Sequence, residues 1–220
     1  MTGPRIALIH ATTAAIAPAM DGLAAGFPEA EPWNLLDDRL LPDADAAGGL
    51  TAELSERMSG LIEYACGAGA AGVLLTCSMY GPVATAAVGV PLLAPDEGAF
   101  ERVVRERWGG VLVVASFDAA GRDAAARLRT VLDEAGSETR VASVTATAAM
   151  GPSRIGDAGA IAQACFDAIA PVGGHDAVVL AQYSLAPAAE RLEARLGLPV
   201  VSGPRAAAAL LKARLTERTR

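Results

Sequence analysis

Apolar residues in this chain cluster into short continuous runs rather than alternating with polar ones. Such runs occupy 5–10, 31–36, 72–76, 91–94, 110–115, 139–144, 177–181 and 198–201. Short unbroken runs rich in Val, Leu and Ile fit strands buried on both faces. The intervening segments have a helical period. Over 51–67, Leu54, Met58, Leu61, Ile62 and Ala65 recur at helical spacing, and Thr51 with Glu53 and Glu56 makes a helix start. Over 119–135, Ala124, Leu128, Val131 and Leu132 share a face. Further helices are predicted over 157–170, 187–196 and 204–217. Strand and helix alternate, which predicts mostly parallel sheets with helices on both sides. The segments around 95–99 and 202–205 read as matched breaks, and 145–156 as a loop that could act as a mobile flap.

The pattern repeats. Val73-Leu74-Leu75-Thr76-Cys77-Ser78 through Pro82 resembles Val178-Val179-Leu180-Ala181-Gln182-Tyr183-Ser184 through Pro187, with Gln182 standing 105 positions after Cys77. A second match sets Ala7 to Thr13 beside Val111 to Phe117, with Ser116 standing 104 positions after Thr12. Two matches at nearly one offset predict a duplicated half-domain. The expected architecture is α/β: two pseudosymmetric lobes, each a mostly parallel four-stranded sheet flanked by helices, with the active site in the cleft between lobes. The first lobe is expected to comprise 1–97 plus 205–220, the last helix packing back on it, and the second 98–204.

Composition narrows the function. Aromatic residues are 4% of the chain and hydrophobic residues 52%, so the core must be built from small aliphatic side chains. The net charge of −7 argues against a nucleic-acid or anionic-membrane surface. No stretch is long enough to span a bilayer, and the first apolar run is too short for a signal peptide. Cys66, Cys77 and Cys165 are an odd, sparse set, which predicts free thiols and a cytoplasmic location. With two histidines, no CxxC and no HExxH, a resident zinc site is not expected. Gly67-Ala68-Gly69-Ala70 ends a helix instead of opening one, so it is no dinucleotide fingerprint. A homo-oligomer is compatible with the Ala-rich helices.

In open α/β sheets, ligands bind beyond the carboxyl ends of strands. Those ends carry His10-Ala11-Thr12-Thr13, Cys77-Ser78-Met79, Ser116-Phe117-Asp118 and Gln182-Tyr183-Ser184. Backbone N–H groups at the turns, with nearby hydroxyls, suit a carboxylate. Cys77, at a strand end ahead of a helix, is expected to have a lowered pKa. Cys66 and Cys165 fall in helices and read as core. His10 is either a strand-end hydrogen-bonding group or a proton partner for Cys77. Tyr80 and Tyr183 are pocket or core residues, His175 reads as surface, and Asp37, Asp38 and Asp96 as solvated caps.

These residues resemble the aspartate/glutamate/hydantoin racemase superfamily. The resemblance rests on Leu74-Leu75-Thr76-Cys77-Ser78, on Val179 through Ser184, and on Asn34-Leu35-Leu36-Asp37 through Leu40-Leu41-Pro42-Asp43. It implies two α/β lobes, no cofactor, and chemistry at a carbon next to a carboxylate. Two family cysteines, one per lobe, work there as acid and base. The resemblance places the first at Cys77 and finds Gln182 where the second belongs. It assigns carboxylate binding to Ser78, Met79, Ser116, Tyr183 and Ser184, beside Thr12 from the strand-end reading. A carboxamide cannot exchange a proton near neutral pH. The expectation is therefore a single-cysteine enzyme of isomerase or decarboxylase type acting on a small carboxylate. One alternative is an amino-acid or hydantoin racemase whose second base is His10, a tyrosine or water. Another is a carboxylate-binding protein without catalysis. Amino-acid racemases usually carry an Asp-Ser pair where this chain has His10-Ala11-Thr12, which weakens an amino-acid substrate.

Overall fold

The computed structural model describes residues 3–85 and 88–218. The apolar runs form eight strands: β1 (Arg5–His10), β2 (Glu31–Leu36), β3 (Gly72–Leu75), β4 (Leu92–Leu93), β5 (Gly110–Ala115), β6 (Arg140–Thr145), β7 (Ala177–Leu180) and β8 (Val200–Ser202). They pair in two parallel sheets, ordered β2-β1-β3-β4 and β6-β5-β7-β8. Nine α-helices are described: α1 (Ile16–Gly26), α2 (Leu40–Ala47), α3 (Ala52–Gly67), α4 (Glu97–Glu106), α5 (Asp118–Glu134), α6 (Met150–Ile155), α7 (Ala158–Ile169), α8 (Ala189–Leu196) and α9 (Gly203–Arg218). The chain divides into two compact units, Met1–Gly98 with Pro204–Arg220, and Ala99–Gly203.

The second unit shows why β5 lacks alternation. Val111, Val113 and Ala115 of β5 pack on Ala124, Leu128 and Leu132 of α5 and on Phe100 and Val103 of α4. The intervening Leu112 and Val114 pack on Ile161, Cys165 and Ile169 of α7 and on Leu192 of α8. Successive side chains point to opposite faces, and both faces are covered. In the first unit, Ala7, Ile9, Val73 and Leu75 meet Leu54, Met58, Ile62 and Ala65 of α3. Thr51 caps α3, its hydroxyl accepting from the Leu54 N–H at 3.2 Å.

The other face of the first sheet is covered by α1 and α9. Ala207, Ala208 and Leu211 of α9 are fully buried. A Cβ added at Gly22 would lie 2.4 Å from the Pro204 Cβ, and one at Gly26 would lie 2.7 Å from the Arg205 carbonyl oxygen. Glycine at both positions lets α9 approach α1 backbone to backbone. Lys212 pairs with Glu29, and Arg218 donates to the Gly89 carbonyl at 2.6 Å.

Two readings of the sequence change, and one is refined. The 95–99 and 202–205 breaks lie where the chain passes between the two units, and they also hold the starts of α4 and α9. Glu97 reaches back to accept from the Ala94 N–H at 3.3 Å, a cap that the sequence hid behind Pro95. The 145–156 segment is not a flap loop but a short 3-10 turn followed by α6. Pro152 falls in the first turn of α6, where a missing N–H costs nothing. Helix α1 was not foreseen, because Pro18 and Gly22 dilute its helical signal.

Candidate functional site

The duplication fixes which strand ends correspond. Within the first sheet Ile6 pairs with Gly72, and within the second Val111 pairs with Ala177, each partner displaced by 105 positions. The same step takes Cys77 to Gln182. It takes Ala11, not Thr12, to Ser116, so the sequence match at that turn was one residue out of register. After β3 and β7 the chain enters helices of the 3-10 type, Ser78–Thr85 and Tyr183–Ala188. Each contains a proline, Pro82 or Pro187, which lacks the N–H that a longer helix would use.

In the first unit, His10 ends β1 and is fully buried. Its Nδ1 lies 2.9 Å from the Thr76 hydroxyl and its Nε2 lies 2.9 Å from the Asn34 side-chain oxygen. Burial holds the imidazole pKa below its usual value, opposed by the Asn34 hydrogen bond. The neutral ring donates from Nε2 to the Asn34 oxygen, while its Nδ1 lies against the Thr76 hydroxyl, whose one proton also has the Ile9 carbonyl in reach at 3.1 Å. His10 thus crosslinks the ends of three neighbouring strands, and neither ring nitrogen is left for the Cys77 thiol. These contacts do not support the proton-partner reading. Thr76 and Asn34, which the sequence offered only as parts of longer motifs, hold this imidazole. The signal available was a lone amide in the apolar segment of β2.

Cys77 follows β3 and keeps some exposure. Its thiol was expected to be acidic, and the opposite holds. Protein packed around the sulfur pushes the pKa up to about 11, against the N–H groups of Met79 and Tyr80, which draw it down; Asp45 adds to the rise. The ion is disfavoured because desolvation outweighs two backbone dipoles. The Met79 amide, expected to hold a carboxylate, is one of the two that draw this thiol down. Tyr80 is fully buried and donates its hydroxyl to the Leu40 carbonyl at 2.7 Å, so it anchors α2 instead of lining a site. Asp37 and Asp43 both pair with Arg57, at 2.6 and 2.9 Å. Asp37 is therefore not a simple solvated cap.

In the second unit, the Gln182 side-chain oxygen accepts from the Ser116 N–H at 2.7 Å and from the Ser116 hydroxyl at 3.0 Å. A backbone N–H can only donate, so the carboxamide orientation is fixed, oxygen towards Ser116. Both Ser116 donors are taken by Gln182, so Ser116 positions that side chain and does not itself offer a hydroxyl. Tyr183 is buried, while Gln182 and Ser184 are half-buried. Thr12 caps the turn after β1, accepting from the Ala14 N–H at 3.4 Å, and its own hydroxyl proton is not consumed by that bond. Ser78 and Met79 are half-buried. Cys66 is partly exposed on α3, and Cys165 is core, its thiol also pushed up to about 11 by burial. Among the described residues no group of three or more His, Cys, Asp or Glu could hold a metal ion, and no helix is long and apolar enough to cross a membrane.

No protein-family model matches the sequence, and no curated protein matches it. Solved structures do. A glutamate racemase from Bacillus anthracis matches with a TM-score of 0.76 at 14% identity, over 99% of this chain and 84% of that one. An aspartate racemase from Picrophilus torridus matches with a TM-score of 0.74 at 14% identity, over 97% of this chain and 95% of that one. An arylmalonate decarboxylase matches with a TM-score of 0.65 at 20% identity, over 96% of this chain and 92% of that one. The two parallel four-stranded sheets with flanking helices are therefore a fold that this chain shares with amino-acid racemases and with a decarboxylase.

Proposed function

We propose that this chain is a single-cysteine member of the aspartate/glutamate/hydantoin racemase superfamily. It acts without a cofactor on the carbon next to a carboxylate, as an isomerase or a decarboxylase. The observation that carries the reading is the Cys77 thiol, held protonated to about pH 11 at the carboxyl end of β3 while its register mate is Gln182. A thiol held neutral is a proton donor. Racemisation needs a base on one face and an acid on the other, and Gln182 can be neither. Of the side-chain substitutes, His10 and Tyr80 have their polar atoms committed to Asn34, Thr76 and Leu40.

In this reading a bond at the α-carbon breaks and leaves its electron pair on that carbon. The leaving group is CO2 in a decarboxylation; in an isomerisation it is a proton, which a water molecule accepts before Cys77 returns one to the carbon. The remaining carboxylate takes up the charge as an enediolate. Hydroxyls and amides at the strand ends, from Thr12, Ser78, Tyr183 and Ser184, stabilise it. Cys77 then delivers its proton to the carbon, the sulfur keeps the S–H electron pair, and the thiolate is reprotonated from water. The backbone N–H groups of Met79 and Tyr80 draw the thiol pKa down and so favour that transient thiolate. Gln182 orients the substrate.

Proton NMR in D2O tests this, with aspartate, glutamate, a hydantoin, maleate and an arylmalonate, comparing wild type with Cys77→Ala. The expected result is deuterium incorporation or CO2 loss on one compound, reduced at least a thousandfold in Cys77→Ala. Exchange that survives in Cys77→Ala refutes the assignment of the proton donor.

A further inference from the structure

Resting on the reading above, we infer that Arg57 is a positioning residue for Cys77: by bridging Asp37 and Asp43 it clamps α2 against the turn that carries the thiol. Apolar contact anchors α2 poorly. Of its eight residues, Leu40 and Ala44 are buried, and so short a helix does not persist on its own. The chain leaves it through Gly48 and Gly49, at φ 75° and 146°, where an added Cβ would meet nothing within 4 Å. Polar contacts hold its first turn instead. The Arg57 guanidinium, on α3, donates to Asp37 at 2.6 Å and to Asp43 at 2.9 Å. Asp37 in turn accepts from the Arg39 N–H at 3.1 Å, at the start of α2. One planar fork thus grips both the approach to α2 and its first turn, a geometry that an ammonium group does not reproduce. Two carboxylates on one guanidinium make a network, which holds better than an isolated surface pair.

The Cys77 turn lies against α2. The Cys77 carbonyl accepts from the Tyr80 N–H at 3.1 Å, and the Tyr80 hydroxyl donates to the Leu40 carbonyl at 2.7 Å. Cys77 itself packs against the apolar cluster to which Leu40, Ala44 and Tyr80 belong. Asp45, also on α2, is close enough for its charge to act on the sulfur. The charged and titratable groups around the thiol are therefore Asp45, Tyr80 of its own turn, and the clamp of Asp37, Arg57 and Asp43. Desolvation is the largest influence on this thiol. A thiol kept protonated by its packing needs that packing held in place, and a loosened α2 would admit water to the sulfur.

The decisive variant is Arg57→Met, which keeps an apolar stem and removes the clamp. It is made together with Cys66→Ser and Cys165→Ala, so that Cys77 is the remaining thiol, and exchange with an aromatic disulfide is followed against pH. The bend in the profile is expected to move down by about one pH unit or more. Each unit gives about ten times more thiolate of lower nucleophilicity, so the rate at pH 8 should rise about threefold or more. Loss of a nearby positive charge, acting through its field alone, predicts the reverse, a bend moved up. Arg39→Ala removes a neighbouring pair with Asp43 but leaves the clamp, and its profile should match that of the parent. Arg57→Lys should fall between parent and Arg57→Met, and it carries the test if circular dichroism shows that Arg57→Met has lost the fold. A bend that stays or moves up overturns the inference, and so does an equal shift in Arg39→Ala. No substrate enters this assay. A bend moved down without Cys77-dependent turnover in D2O would leave the clamp standing and remove the catalytic reading. Such turnover with an unmoved bend would do the opposite.

Discussion

The raised pKa of Cys77 has a measurable kinetic consequence. A variant with Cys66→Ser and Cys165→Ala leaves one thiol, and an aromatic disulfide reports its thiolate by exchange. An ordinary cysteine at 9.0 is about one-tenth thiolate at pH 8; one held near 11 is about one-thousandth, a deficit of about a hundredfold. The rarer thiolate is intrinsically more nucleophilic. With a Brønsted coefficient of about 0.4–0.5, two pH units of basicity return a factor of roughly 6 to 10. Exchange should thus be at least about tenfold slower than for a free cysteine at pH 8, before any shielding of the sulfur. Shielding lowers the rate at every pH, so the shape of the profile separates the two effects. The logarithm of the rate should climb with unit slope through pH 9 and bend only near 11, with circular dichroism recording that the fold persists. A bend at or below 9 would show that the Met79 and Tyr80 amides outweigh desolvation. The thiol would then be a base or nucleophile, and the proton-donor mechanism would fall.

The buried His10 and the close contact of α1 with α9 make separate predictions. His10 has a folded pKa below the unfolded value of 6.5, so the unfolded chain binds its proton first as pH falls. Its contribution to stability is present above about 6.5 and drains away below, by at most about 1.4 kcal/mol per pH unit. Urea midpoints at pH 5.0 and 7.5 should differ in wild type and in the control His175→Asn. The difference should shrink in His10→Gln, and an undiminished difference would place the titrating group elsewhere. Gly22→Val should destabilise by about 1–3 kcal/mol, because its Cβ would meet Pro204 at 2.4 Å. Gly60→Ala, in mid-α3 with nothing within 4 Å of an added Cβ, should stabilise by about 0.5–1 kcal/mol. Urea midpoints that fail to move in opposite directions would contradict the helix contacts described for the first unit.

Periodicity by itself determined the strands, the helices with a clear apolar face, and the duplication. The reason is that every β5 side chain is buried on one face or the other, and such burial leaves an unbroken apolar run that can be read without coordinates. Thr51 was legible as a cap because its partner is three residues away. Local signals failed where proline and glycine served tertiary purposes: Gly22 admits α9, Pro152 opens α6, and Pro95 precedes a helix instead of ending one. At the candidate site, the sequence supplied Cys77, Gln182, His10 and Ser116 as residues at strand ends, but not their states. Whether Cys77 is acid or base depends on the balance of desolvation against two backbone amides. Whether His10 is free depends on Thr76 and Asn34, which lie 66 and 24 residues away. Which end of Gln182 faces outward depends on a backbone N–H 66 residues earlier in the chain. Only the tertiary fold decided these, because burial and hydrogen-bond direction belong to neighbours that chain order does not name.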